Sequence, residues 1–435
     1  MGSVQGMGKR QQGADGRMVG QASSSRQRSH EMGAIMLNAV EIKPDVYWVG
    51  AVDWKAREFH GYSTERGITY NAYLILDEKK TLIDTAKVTY TDELLQRISS
   101  VIDPSEIDVL ICNHVEMDHS GNVPTIHRLA PDAKIYASAP MGVKGLTAHY
   151  GDLGYIGVKS GDTLSIGKRT LTFVATPMVH WPDNMVTYDA YDKILFSNDA
   201  FGQHYATAAR FDDENDIEEA LRQARKYYAN IVQPYRTQAA AAVKAVRGLG
   251  PDALDLIAPA HGVVWRSALD RILDEYEQVY TSGAVKEKAL VIYDTMWNST
   301  EELATALVDA FCDAGVEVML IDLRVTHRSD VIAEFLDSKY VCVGSPTLNS
   351  QMLPDVAAFL TYMKGLSPQN GNRVGFAFGS YGWAPLGPNN VQKELEAAGF
   401  KLPEKAYAEN WIPDEAHVQA IRDKVASLLA AGREE

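Results

Sequence analysis

The chain has 435 residues, 46% of them hydrophobic, and 42 Lys and Arg against 57 Asp and Glu leave a formal charge of −15. That length suffices for two or three domains with full cores, and the acidic balance excludes the basic face a nucleic-acid partner requires. No apolar run reaches the length of a bilayer span, so no membrane partner is expected.

Residues 1–35 are rich in Gly, Ser, Gln and Arg and lack the amphipathic face of a transit peptide. They read as a disordered tail or cloning remnant ahead of a natural start at Met36. From Glu41 to about Tyr280, strand-like runs alternate with helical stretches such as T-D-E-L-L-Q-R-I-S-S-V-I (91–102). The runs are T-Y-N-A-Y-L-I-L (69–76), D-V-L-I-C (108–112), K-I-Y-A-S (134–138), L-T-F-V-A (171–175) and K-I-L-F-S (193–197), an α/β layout. A helix around Asp270–Tyr280 is followed by the polar stretch T-S-G-A-V-K-E-K (281–288), which reads as a linker. The boundary is placed near 285, giving domains over 36–284 and 285–435. Downstream, A-L-V-I-Y (289–293), V-E-V-M-L-I (316–321), Y-V-C-V-G (340–344) and V-G-F-A-F (374–378) alternate with helical segments, the rhythm of a doubly wound parallel sheet. Ile421, Val425, Leu428 and Leu429 recur at helical spacing, so the last helix should cover one face of that sheet. Cys112, Cys312 and Cys342 form no C-x-x-C pair and no disulfide framework, which fits a reducing cytoplasm.

Seven metal-ligand types fall in four clusters, each ending an apolar run: His114, Glu116, Asp118 and His119 in N-H-V-E-M-D-H-S-G-N (113–122), then His180, Asp199 and His261. Strand ends let such side chains converge. Two ions held close together need a carboxylate able to bridge them, with neutral imidazoles completing each set without piling up negative charge.

In the second half, the strand A-L-V-I-Y runs into D-T-M-W-N-S-T-E-E-L-A (294–304), where hydroxyls and amides crowd the start of a helix, a place suited to an anion. Ser299 and Glu302 have capping-box spacing, and capping alone would account for the hydroxyls. Two further loops, G-S-P-T-L-N-S (344–350) and F-G-S-Y-G-W-A-P (378–385), also lie at carboxyl ends of strands, so the three together make a cofactor crevice.

The ligand order resembles the metallo-β-lactamase superfamily, whose first cluster reads H-x-H-x-D-H and favours zinc. Here Glu116 replaces the middle His, and a harder oxygen ligand shifts preference toward redox-active iron. H-x-E-x-D-H with the later His, Asp and His, together with the flavodoxin-like loops, is similar to the flavodiiron proteins (A-type flavoproteins). That resemblance implies an αββα metallo-β-lactamase-like sandwich fused to a flavodoxin-like sheet, with two iron ions and FMN as cofactors. One iron would take His114, Glu116 and His180, the other Asp118, His119 and His261, with Asp199 bridging. In some members the residue matching His119 is swung away from iron, and a place beside the metal is the alternative for it.

By the same match Thr295, Met296, Trp297, Asn298, Ser299 and Thr300 would hold the FMN phosphate. Pro346, Thr347, Leu348 and Asn349, with Ser380, Tyr381, Gly382 and Trp383, would enclose the ring. Asn298 stands where relatives often have Gly, a change Asn tolerates because it accepts left-handed geometry. The third loop continues A-P-L-G in place of the usual Gly-rich stretch. His60, in F-H-G-Y, matches a residue near the substrate pocket and is either a catalytic proton donor or an ordinary loop histidine.

The implied activity is reduction of dioxygen to water, nitric oxide to nitrous oxide, or both. The chain carries no rubredoxin module of its own, so electrons would come from an external rubredoxin, a rubredoxin reductase or a reduced deazaflavin. A head-to-tail homodimer or homotetramer is also implied. Domains of about 150 and 240 residues have radii of gyration of roughly 15 and 18 Å, so cofactors on tandem domains could lie on the order of 30 Å apart within one chain. A rival reading is a metallo-β-lactamase-type thioesterase or nuclease, against which Glu116 and the flavodoxin-like half both count. A second rival, an electron carrier without metals, is opposed by the complete ligand set.

Overall fold

The computed structural model describes residues 37–250, 252–367 and 370–433. The tail expected over 1–35 and the start expected at Met36 lie outside the described residues.

Seven short strands lie side by side in chain order: β1 (Val40–Lys43), β2 (Val46–Trp48), β3 (Tyr73–Ile75), β4 (Thr81–Ile83), β5 (Val109–Cys112), β6 (Lys134–Ser138) and β7 (Ile156–Val158). β1 to β4 pair antiparallel and β4 to β7 parallel. A second sheet follows, again in chain order: β8 (Thr163–Ser165), β9 (Thr170–Ala175), β10 (Met185–Asp189), β11 (Ile194–Asn198) and β12 (Leu256–Pro259).

Strand periodicity makes these sheets a sandwich, because alternate side chains go to opposite faces. Tyr73 and Ile75 of β3 pack with Phe173, Ile194 and Phe196 of the second sheet, forming the core between the two. Leu74, between them, joins Leu94, Ile98, Val123 and Ile126 from the helices over the outer face. Leu195, between Ile194 and Phe196, turns outward in the same way to Ala224, Tyr227 and Val243.

The remaining strands, β13 (Lys286–Tyr293), β14 (Glu317–Asp322), β15 (Ser338–Gly344), β16 (Val374–Tyr381) and β17 (Tyr407–Asn410), form one parallel sheet in the order β14-β13-β15-β16-β17. This is the flavodoxin-like doubly wound order. Ile421, Val425, Leu428 and Leu429 of the final helix, Glu415–Arg433, are buried against one face, as their spacing predicts. The opposite face, with Leu290, Ile292, Val341 and Val343, belongs to the same apolar core as the helices that cover the second sheet.

Three local expectations need correction. T-Y-N-A-Y-L-I-L is broken into Ile68–Tyr70, which pairs with Ala51–Asp53, and β3. Asn71 causes the break: its N–H donates to Ala260 O, and its side chain joins Trp48 Nε1, Pro259 O and Gly262 O. Lys286, Glu287 and Lys288, read as linker, open β13, where Lys339 Nζ and Tyr340 OH hold the Glu287 carboxylate. Gly379, Ser380 and Tyr381, read as loop, continue β16 because β17 pairs alongside them.

Candidate metal centre and cofactor crevice

All seven metal-ligand types converge at one end of the sandwich, and all seven are buried. They fall into two groups, His114, Glu116, His180 and Asp199 in one and Asp118, His119 and His261 in the other. In the first, Glu116 Oε2 lies 3.4 Å from His114 Nε2 and 3.1 Å from His180 Nε2. Asp199 Oδ2 lies 3.5 and 3.4 Å from those same two nitrogens. In the second, Asp118 approaches His119 Nε2 at 3.4 Å through one oxygen and His261 Nε2 at 3.3 Å through the other. The other Asp199 oxygen, Oδ1, faces this group, 3.2 Å from His119 and 3.6 Å from His261. One carboxylate therefore presents an oxygen to each donor set.

The residues fit a metal pair. His114 Nε2, His119 Nε2 and both oxygens of Asp118 and of Asp199 are buried without a hydrogen-bond partner, an arrangement that costs a protein heavily unless a ligand satisfies it. An ion about 2.1 Å from each donor leaves neighbouring donors roughly 3.0–3.4 Å apart, close to the spacings here. Burial alone would raise the carboxylates. Instead Glu116 is held far below the ordinary range by His114, His180 and His60, and Asp199 by His119, His114 and His180. Burial also opposes protonated rings, yet the hydrogen bond to Asp183 and the nearby Glu116 and Asp199 carboxylates push His114 well up, and Asp118 and Asp199 push His119 to about 9. The cluster gathers positive charge about its carboxylates, the demand a pair of cations meets.

A second layer fixes these ligands. His114 Nδ1 bonds Asp183 Oδ2 at 2.9 Å, which also accepts from Val115 N, and His261 Nδ1 bonds Thr69 O at 2.6 Å. Asp84 accepts from Asn113 N and Nδ2 and from Asn198 Nδ2, tying together the loops that carry His114 and Asp199. His60 Nε2 meets Glu116 Oε1, and that hydrogen bond, against the effect of partial burial, raises its pKa. Sequence reasoning missed His204. Its Nδ1 is 2.6 Å from Tyr62 OH, its ring stands perpendicular to that of His261 at 4.9 Å, and its Nε2 is buried and unpartnered. Burial, reinforced by His261, keeps His204 well below its ordinary pKa and hence neutral. Asp84, closing the apolar run T-L-I-D, had a readable signal in its position at a strand end.

In the second half, the carboxyl ends of β13, β15 and β16 border a cavity of about 640 Å³. Of the residues expected there, Met296, Trp297, Ser299, Pro346, Thr347 and Leu348 line it, as do Asn349, Ser380, Tyr381, Gly382 and Trp383. Thr295, Asn298 and Thr300 are not part of that lining: Thr295 and Thr300 are buried, with Thr300 Oγ1 3.0 Å from Ser380 Oγ, and Asn298 is exposed. Trp411 and Ile412, which follow β17, complete the rim and were not anticipated. The proposed capping box does not form. Asn298 is the N-cap of helix Ser299–Asp313 with φ +67° and no side-chain cap bond, so the Ser299 hydroxyl is left for the crevice.

A model described as "ODP family beta lactamase" matches residues 68–262, and a flavodoxin model matches residues 291–421. A nitric oxide reductase of Moorella thermoacetica is 42% identical over 403 residues, covering 91% of this chain and 100% of that protein. The structure of a rubredoxin oxygen:oxidoreductase from Desulfovibrio gigas superposes with a TM-score of 0.87 at 41% identity, over 91% of this chain and 99% of that one. A flavodiiron protein from Giardia intestinalis superposes at 0.86 with 33% identity, over 91% and 97% of the two chains. With this identity sustained across both halves, the chain belongs to the flavodiiron proteins.

Proposed function

We propose that this protein is a flavodiiron oxidoreductase that reduces dioxygen to water, nitric oxide to nitrous oxide, or both, with electrons from an external rubredoxin-type donor. The observation that carries this reading is the split carboxylate of Asp199, unpartnered at both oxygens, between two buried donor sets, in a chain that also builds a flavodoxin crevice. When bound, FMN would supply redox chemistry for electrons from the donor, and an iron pair would supply the redox chemistry for the gas. His114, Glu116 and His180 would hold one iron, Asp118, His119 and His261 the other, and Asp199 would join the two. Asp183 and Thr69 O fix the rings of His114 and His261. Both reductions consume protons. His60, bonded to Glu116 and half exposed to solvent, is positioned to hold one at Nε2 for delivery into the site.

In the crevice, Ser299 and the amides at the start of its helix would take the phosphate, while Trp383 and the backbone of Thr347 to Asn349 would enclose the ring. Asn298 as N-cap and Thr300 in the first turn, with Thr295 before them, shape that helix start. The exposed rim around the crevice is large and apolar: Trp297 is 88% exposed, Trp383 79%, Ile412 74% and Trp411 65%. Met117, opening the short helix that carries Asp118 and His119, and Trp181, next to His180, also stand exposed. The apolar crevice rim, with these exposed side chains beside the metal ligands, supports an antiparallel two-fold dimer in which each crevice meets the partner's metal centre. A domain seam near 285 and a cytoplasmic location complete the reading. Among the described residues no helix is long and apolar enough to cross a membrane.

The test is to quantify iron and FMN in purified protein, then follow gas consumption under a reduced rubredoxin-type donor. An iron pair and a single FMN per chain, with turnover that needs both, is the expected result. A protein that binds zinc, cleaves thioesters or phosphodiesters and reduces neither gas overturns it in favour of the hydrolase alternative.

A further inference from the structure

Between the outer face of β9, β10 and β11 and the helix Arg236–Arg247 lies a cavity of about 90 Å³, walled by Val174, Val186, Leu195, Phe201, Ala242 and Val246. We propose that this cavity takes up a small apolar gas molecule, nitric oxide or dioxygen, and supplies it to the metal centre; the inference rests on reading the chain as a gas reductase.

Three observations carry it. The first is polarity. Two of the polar side chains on the wall are already committed elsewhere, Thr176 Oγ1 to Asn184 Oδ1 at 2.7 Å and Tyr188 OH to Ala253 O at 2.8 Å, so methyl, methylene and ring carbons dominate what faces inward. A water needs about two to four polar partners to stay in such a place, and apolar cavities accept xenon or small apolar molecules instead. The second is size. The volume has no room for a flavin, a nucleotide or a lipid chain, whereas a water-sized molecule occupies only about 30 Å³.

The third is position. At the inner end stand Ala200 and Phe201, which directly follow Asp199, and Thr176, which opens the loop leading to His180. Both loops carry metal-site residues, so a molecule in the cavity lies against the back of the segments that shape the site. At the outer end are Ala245 and Leu249, both exposed, so the cavity opens at the surface near the end of the helix. The polar approach to the metal centre is separate, by way of half-exposed His60 and Glu116. Protons need a polar approach and an apolar gas does not, and this cavity places an apolar space beside the segments that carry Asp199 and His180.

The experiment is xenon pressurisation of crystals of the full-length holoprotein, together with gas kinetics. Xenon should bind between Leu195, Phe201 and Val246. Ala242→Phe, which fills the cavity, should remove the xenon and raise KM for the gas several-fold with kcat and iron content unchanged. Leu249→Trp, at the exposed mouth where folding is not at risk, should raise the same KM without removing the inner wall. Absence of xenon from the wild-type cavity overturns the proposal, and so does xenon binding with an unaltered KM in both variants. Failure of the functional reading itself shows separately, as an iron- and FMN-loaded wild type that reduces neither gas.

Discussion

The metal centre and the cofactor crevice are built from opposite materials. The centre consists of seven buried side chains, of which His114, His119, Asp118 and Asp199 keep donor atoms without partners inside the protein, with Asp183 and Thr69 orienting His114 and His261. The crevice is shared among loops at three strand ends and rimmed by the exposed rings of Trp297, Trp383 and Trp411. A site of the first kind is specified atom by atom, so one substitution should disable it. A site of the second kind spreads recognition over many contacts and yields only to a change that opposes its ligand outright.

The largest effect should follow Asp199→Ala. Both donor sets lose an oxygen at once, and four imidazoles are left around fewer carboxylates, so iron content should fall toward zero and gas turnover with it. The loss should exceed the roughly hundredfold upper range for residues that merely orient ligands. Elemental analysis and donor-driven gas consumption check this, and full iron with unchanged turnover would falsify the bridging assignment.

Ser299→Glu tests the crevice with the metal centre as its internal control. An acid in the first turn suits helix Ser299–Asp313, so folding should persist, but its charge would repel a phosphate at the same helix start. The variant should be colourless in the flavin bands, keep its iron, and lose donor-dependent turnover. Retention of FMN would show that the phosphate lies elsewhere.

Asp183→Ala removes the acceptor of His114 Nδ1 while leaving every proposed ligand in place. Weaker iron retention by about ten- to a hundredfold is expected in chelator competition. No change would mean that the backbone alone orients His114.

The contrast between the sites also governs what the sequence could reveal. His114, Glu116, Asp118, His119, His180, Asp199 and His261 are rare residue types placed at the ends of apolar runs, so both their chemistry and their location could be read directly. Asp183, Thr69 and His204 act through contacts made only when distant segments close, His204 meeting Tyr62 across 142 positions. Nothing local marks them. Trp411 and Ile412 escaped for a different reason. They follow β17, an edge strand in which Glu409 alone is buried, so no apolar run announced a fifth strand or the rim it positions. Asn71 broke an apparent strand because its side chain satisfies groups brought in by the loop around His261. Lys226, in the charged helix Ile217–Tyr227, is buried where the sandwich meets the flavodoxin-like half, which nothing in its sequence neighbourhood marks.

That seam gives the smallest predicted effect. Lys226 Nζ bonds Glu65 Oε2 at 2.6 Å and Ser63 Oγ at 2.9 Å, and it also meets Asp330 of the flavodoxin-like half. Burial alone would raise Glu65, but hydrogen bonds from Lys226 and Gln223 outweigh it and bring the carboxyl down to about 2. A carboxylate whose pKa is depressed on folding contributes stability that is fully present above its unfolded value, near 4.3, and is lost as pH falls toward the folded value. Glu65→Gln should therefore lower stability at neutral pH, with the difference shrinking as pH falls from about 4.5 toward 2. Because the Glu65 side chain is 40% exposed, solvent screens the pair, and Asp330 remains to hold Lys226, so the neutral-pH loss should be about 1 kcal/mol or less. Urea unfolding of both proteins across this range measures it, with losses common to the two cancelling in the difference. A gap that stays constant with pH would mean that Glu65 acts at the seam through its shape and amide-like contacts, not through its charge on Lys226.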